Sequence, residues 1–167
     1  MYEAYHRTPV GVALLVADDT HLIKVSILDE EVDLDEEVEQ TTTISPILLE
    51  TIKQLNEYFA GDRKDFDLPL NQPGSDFQQT VWQELSRIPY GATITYNQQS
   101  HKMKNPLAIR AIAAANGKNN LWVVVPCHRV IGSNGSLTGY AGGLWRKQWL
   151  LEHEARVTGT GQTKLAF

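Results

Sequence analysis

The run Asn71-Gln72-Pro73-Gly74-Ser75 falls where the apolar periodicity of this 167-residue chain stops and its charge changes sign. Adjacent proline and glycine disfavour continuation of either helix or strand, so the run marks a linker. Residues 1–72 carry 16 acidic and 5 basic side chains, net −11, whereas residues 73–167 carry 10 basic and 4 acidic ones, net +6. The chain therefore reads as two domains, 1–72 and 73–167, each long enough for a modest core. The overall charge of −5 hides this division, and only the second half suits a polyanionic partner.

The first half reads as a small α/β unit. Val10 to Val16 and His21 to Leu28 are β-prone runs around Ala17-Asp18-Asp19-Thr20, which predicts a hairpin. Eight of the eleven residues from Asp29 to Glu39 are acidic, the composition of a solvated loop. Ser45 caps and Pro46 opens a helix whose apolar stripe is Ile47, Leu48, Ile52, Leu55 and Phe59, with Gly61 ending it. Phe66, Leu68 and Leu70 alternate as a short strand. No residue set in this half points to chemistry.

The second half is mostly helical. Phe77, Val81, Leu85 and Ile88 mark a helix closed by Pro89-Tyr90-Gly91, and Thr95-Tyr96-Asn97-Gln98 fits a capping box opening a second. Asn105-Pro106 predicts the start of a third helix that ends at Asn116-Gly117. The tight turn around Lys104-Asn105 makes the pair a helix-turn-helix. On the third helix Ala108, Ile109, Ile112 and Ala115 share a face predicted to meet the core. Arg110 stands opposite, among Pro106, Ala113, Ala114 and Gly117. A solvated face ordinarily carries Lys, Glu or Gln; a bare face with one long cation can lie close to a nucleic-acid groove while the arginine reaches inside. Tight helix packing is the alternative use of such small residues.

The one cysteine, Cys127, follows an apolar run, Val123-Val124-Val125-Pro126, and precedes His128-Arg129-Val130. Proline there predicts the end of a strand, leaving the thiol at a rim or pocket floor beside an imidazole and a guanidinium able to favour its thiolate. The alternative is a small buried hydrophobe. One cysteine excludes an internal disulfide and a multi-cysteine zinc site, and favours a reducing, cytoplasmic setting. Gly139-Tyr140-Ala141-Gly142-Gly143 is a loop whose backbone can approach a ligand, without the spacing of a phosphate-binding motif. A last helix runs from about Leu144 to Glu154 with Leu151 inward, and Thr158 to Thr163 reads as a mobile tail. No run approaches the length of a membrane span, and Met1 to Arg7 lacks the apolar core of a signal peptide.

Pro126-Cys127-His128-Arg129-Val130, followed by Gly139 to Gly143 and by Trp149-Leu150-Leu151-Glu152-His153-Glu154, resembles the O6-alkylguanine-DNA alkyltransferases. The resemblance runs from about Phe77 to Glu154 and takes in Tyr90-Gly91, Thr95-Tyr96, Asn105-Pro106, Arg110 and Asn119 in the family's order. Residues 1–72 match only loosely. It implies an RNase H-like α/β N-terminal domain, a three-stranded antiparallel sheet with a helix, followed by a mostly α, winged helix-turn-helix-like domain.

The same resemblance implies the site. Cys127 is the alkyl acceptor, His128 takes its proton through a water, and Glu154 holds the imidazole. Tyr96 donates to guanine N3 and Asn119 braces the active-site turn. Tyr140 and the Ala141 N–H approach O6, the Cys127 and Val130 carbonyls accept from the exocyclic amine, and Lys147 joins this substrate-binding set. Arg110 fills the stack after the base has flipped, with Ala108, Ala113, Ala114, Thr95 and Arg129 on the DNA-facing side. Asn120 stands where many members have proline, and Ala141 where some have serine. The implied activity is a single, irreversible transfer from O6-alkylguanine in double-stranded DNA, with O4-alkylthymine as a further candidate substrate, by a monomer using neither cofactor nor metal. Two other classes compete: a non-catalytic lesion-binding or winged-helix protein, disfavoured by the presence of Cys127, and a cysteine hydrolase, for which a helix-turn-helix has no purpose.

Overall fold

The structure is a computed structural model that describes residues 1–29, 45–137 and 139–159. The predicted acidic loop lies outside the described residues from position 30 onward, as does the tail from position 160. The chain forms two compact units, Met1–Pro73 with Asn120–Val124, and Gly74–Asn119 with Val125–Phe167. A short segment of the second half of the sequence thus belongs to the first unit.

In the first unit β1 (Tyr2–Thr8), β2 (Gly11–Ala17) and β3 (Leu22–Ile27) form an antiparallel sheet in that order. The predicted hairpin is β2–β3. The third strand is β1, paired from Tyr2↔Ala17 to Thr8↔Gly11, and not the Phe66–Leu70 alternation. β1 is an edge strand in which only Ala4 is buried, which is why its sequence carries no clear alternation. Around Leu70 the chain makes one bridge, to Leu22, through Leu22 N–H to Pro69 O at 2.8 Å and Asn71 N–H to Leu22 O at 2.9 Å. Pro69 has no N–H to extend it. The buried Gln54 amide holds this segment instead, donating to Asp67 O and accepting from Asp67 N–H at 2.9 and 2.8 Å. Gln54 lies on α1 (Pro46–Ala60), which begins at the Ser45 cap and ends at left-handed Gly61 as predicted. Its buried face is Leu48, Thr51, Leu55 and Tyr58, turned slightly from the apolar stripe; the helix packs on the sheet, whose Leu15, Leu22 and Val25 are likewise without solvent access.

The predicted strand ahead of Pro126 is absent. Leu121 makes a single bridge to Val25, and the chain then turns through Val123, buried and at φ 72°, a left-handed conformation unusual for a β-branched residue. The apolar character of this run reflects burial on all sides rather than pleating.

The second unit contains α2 (Asp76–Ser86), β4 (Ile94–Thr95), α3 (Tyr96–Lys102), α4 (Ile109–Gly117), a 3-10 turn (Cys127–Arg129), β5 (Val130–Ile131) and α5 (Leu144–Thr158). Both capping boxes are formed, Thr95/Gln98 as predicted and Ser75/Gln78 in addition. α4 starts three residues later than Asn105-Pro106 suggested. Lys104 is left-handed at φ 56°, and Ala108 N–H closes a turn on Asn105 O at 3.1 Å before the helix begins with no side-chain cap. α5 runs a turn past Glu154, to the left-handed cap Gly159. β4 pairs in parallel with β5, Ile94 against Val130 and Thr95 against Ile131. Tyr96 follows β4 directly, and Cys127 lies in the 3-10 turn that leads into β5.

Candidate active site

A cavity of about 560 Å³ opens in the second unit, within the usual range of small-molecule pockets. Cys127, 9% exposed, lies at its base with Asn119, whose Nδ2 donates to Val125 O at 2.9 Å and to the Cys127 sulfur at 3.4 Å. Tyr96 from α3 and Arg110, Ala113 and Asn116 from α4 form one wall. Gly139, Tyr140 and Ala141 form another. Gly139 is left-handed at φ 49°, and a Cβ there would stand 4.0 Å from the Tyr96 hydroxyl, so the loop passes close to that phenol.

Behind the thiol lies a buried charge cluster. His128 Nε2 is 2.7 Å from Glu154 Oε2, and Arg129 clasps the same carboxylate, Nε to Oε1 at 2.8 Å and Nη2 to Oε2 at 3.1 Å. Arg129 Nη1 donates to Ile88 O at 2.8 Å, and Gly91 N–H reaches Glu154 Oε1 at 3.2 Å. Gly91 is left-handed, and a Cβ on it would stand 2.7 Å from Thr158 Cγ2, so only glycine fits. His128 Nδ1 has no hydrogen-bond partner among the described residues.

Burial would raise the Glu154 carboxyl, but the charges and hydrogen bonds of His128 and Arg129 overcome it and hold the group well below its usual range. Burial lowers His128, although Glu154 opposes the shift. The imidazole is therefore neutral at pH 7; with Nε2–H donating to the carboxylate, Nδ1 is the basic nitrogen. Burial raises the Cys127 thiol, against the Asn119 hydrogen bond and the Lys147 charge. Lys147, on α5 and without solvent access, is lowered to about 8 by burial, and its Nζ lies 6.0 Å from the Tyr96 ring centre. Burial also lifts the Tyr140 phenol well above 10. The resting site holds a protonated thiol beside a neutral base.

Of the expected residues, Cys127, Asn119, Tyr96, Tyr140, Ala141, Arg110 and Ala113 line one cavity. His128, Glu154, Lys147 and Val130 are buried and absent from its lining. Arg129 is a correction: at 5% exposure its guanidinium is committed to Glu154 and Ile88, so it cannot face DNA and does not serve as the thiol's cation. Lys147 has that place. Thr95 spends its hydroxyl accepting from Gln98 N–H at 3.0 Å. Ala114 is exposed and Ala108 half-buried, both outside the cavity lining. Ile109, assigned to the core, is 37% exposed and lines the cavity, because the later start of α4 leaves its first turn uncovered. Asn116 was missed as a lining residue, since a polar residue near a helix end reads first as a terminator.

Two family models match: "6-O-methylguanine DNA methyltransferase, ribonuclease-like domain" over residues 1–72 and "6-O-methylguanine DNA methyltransferase, DNA binding domain" over residues 76–156. The constitutive methylated-DNA–protein-cysteine methyltransferase of Bacillus subtilis is 45% identical over 143 residues, 84% of this chain and 87% of the relative. That of Methanosarcina acetivorans is 42% identical over 154 residues, 92% of this chain and 98% of the relative. Among solved structures, the Mycobacterium tuberculosis O6-methylguanine methyltransferase superposes with TM-score 0.80 at 38% identity, covering 93% of each chain. The structure described as M. tuberculosis OGT in complex with DNA gives 0.83 at 38% identity, covering 94% of each.

Proposed function

Since the chain belongs to the 6-O-methylguanine DNA methyltransferase family, we propose that it repairs double-stranded DNA by moving the alkyl group of an O6-alkylguanine irreversibly onto Cys127, once per molecule. The observation that carries this reading is the placement of one buried thiol at the base of a base-sized cavity, with phenols on its walls and a carboxylate-held imidazole behind it. The α3–α4 pair acts as the helix-turn-helix, α4 entering the groove and Arg110 taking the place of the extruded nucleotide.

His128 Nδ1 receives the Cys127 proton, relayed by one water, and the imidazolium is stabilised by Glu154. The thiolate, favoured by Lys147 and Asn119, attacks the alkyl carbon. The carbon–sulfur bond forms as the carbon–O6 bond breaks. The electron pair passes into the purine, where Tyr96 hydrogen-bonds N3, and the thiol proton ends on the released guanine. A thioether is more stable than the alkoxypurine, and no side chain at the site reverses the step. The protein acts as a monomer and needs no cofactor for this chemistry. Intact-mass measurement after mixing with excess O6-methylguanine duplex tests the reading: one methyl group on the Cys127 peptide is expected, whereas repeated turnover or a label elsewhere overturns it.

A further inference from the structure

Between α3 and α4 lies a pair that the chemistry does not use. Gln99 Nε2 donates to Asn116 Oδ1 at 3.1 Å, and Asn116 Nδ2 donates back to Gln99 Oε1 at 2.9 Å. Gln99 is 1% and Asn116 6% exposed. Two buried amides cost desolvation that a pair of aliphatic side chains would not incur. What they add is direction, because both hydrogen bonds form only at one separation and one mutual orientation.

The pair sits where direction matters. Gln99 is one turn along α3 from Tyr96, and Asn116 stands at the far end of α4 from Arg110. Among the described residues, α4 is anchored from its second turn onward, by buried Ile112 and Ala115, by Trp82 Nε1 donating to Ala115 O at 2.9 Å, and by this pair. Its beginning has no side-chain cap, and Leu107, Ile109 and Arg110 are exposed there. Six residue steps of helix lead from Arg110 to Asn116, about 9 Å, so a tilt of about 10° at the anchored end carries the Arg110 backbone about 1.6 Å. A displacement of that size is enough to spoil alignment in a bound complex.

We infer that the Gln99–Asn116 amide pair is a positioning device that fixes the angle between α3 and α4, and thereby holds Arg110 in register with Tyr96 on the wall of the cavity. The inference rests on the proposed role of this face in extruding the damaged base. Its partner in function is Arg110, so the effect of breaking the pair must pass through Arg110.

The test is a double-mutant cycle of Gln99→Leu with Arg110→Ala, reading the rate of methyl transfer from an O6-methylguanine duplex and, separately, from free O6-benzylguanine. Gln99→Leu is expected to slow duplex transfer about tenfold in the native background and less than about twofold beside Arg110→Ala, leaving the free-base rate within about twofold in both. The exchanged pair Gln99→Asn/Asn116→Gln restores the reciprocal bonds and is expected to return the duplex rate to within about threefold. Equal slowing in both backgrounds, or of the free-base reaction as much as the duplex one, assigns the pair to general stability and overturns the inference. If Gln99→Leu does not fold, Gln99→Met, which fills similar space without an amide and leaves the cavity wall intact, carries the same comparison. A native protein inert toward both substrates removes the proposed function itself, an outcome distinct from a failed cycle.

Discussion

His128 and Glu154 meet at 2.7 Å inside the protein, and the same carboxylate is clasped by Arg129, so one acid serves both the base and the fold. Glu154→Gln keeps the shape and removes the charge. It is expected to slow transfer to Cys127 by about 10- to 100-fold, less than the roughly 100- to 10,000-fold that a positioned base contributes, because His128 itself remains. It should also cost ~3 kcal/mol, because the Arg129 guanidinium stays buried without its counter-charge. An unchanged pH–rate profile contradicts the relay.

Acid stability follows from the same pair. Glu154 is held below its ordinary 4.5 and His128 below its ordinary 6.5, so each contributes stability that is complete above that ordinary value and is lost as pH falls below it. Melting temperature should decline from pH 6.5 downward and more steeply below 4.5, with the lower limb flattened in Glu154→Gln. A steep lower limb that persists in the variant assigns the acid sensitivity to other carboxylates.

Arg129→Lys tests the reassignment of that residue. Lysine cannot clasp a carboxylate with two parallel bonds while also reaching Ile88 O, so a loss of ~3 kcal/mol is expected in chemical denaturation. The dependence of DNA affinity on salt should keep its slope. A slope lowered by about one would place Arg129 on a phosphate after all.

Lys147→Met separates stability from chemistry. The lysine is lowered to about 8 by burial, so at pH 7 the full cost of burying an ammonium is present, and it is relieved only as pH rises from 8 towards the ordinary 10.5. Methionine fills similar space without charge. The variant should melt several degrees higher at pH 7 yet react more slowly, its thiol raised further. A variant that reacts at the native rate would remove Lys147 from the support of the thiolate.

Arg110→Ala should slow duplex repair at least about tenfold more than reaction with free O6-benzylguanine, which needs no extrusion. As an exposed residue it should change stability by no more than about 0.5 kcal/mol. Equal loss with both substrates would make it a wall of the pocket rather than a finger.

What the sequence made legible was governed by local chemistry. The Ser45 and Thr95 caps announce themselves through side chains that act on their own backbone, and Gly61 through the lack of one, which frees it for the left-handed cap. β1 did not, because an edge strand buries little. Val123–Val125 misled because burial in a turn and burial in a strand demand the same apolar residues. Within the Pro126–Val130 motif, Cys127 lines the cavity and His128 meets Glu154, whereas the Arg129 guanidinium is turned to the same buried acid and not to solvent. Whether a basic residue faces solvent or a buried acid depends on an element 25 residues away, and no local pattern encodes that. Gln99 and Asn116 were invisible for the same reason: each is an ordinary surface residue until the other is beside it.

A protein consumed by a single event is a stored reagent, and storage sets its own requirement. Cys127 is enclosed and its thiol is raised by burial, so stray electrophiles and oxidants meet a shielded, protonated sulfur. The enclosure that delays attack until a substrate fills the cavity also sets how long an unused molecule remains fit for use, and the waiting time between synthesis and damage becomes a property built into the pocket.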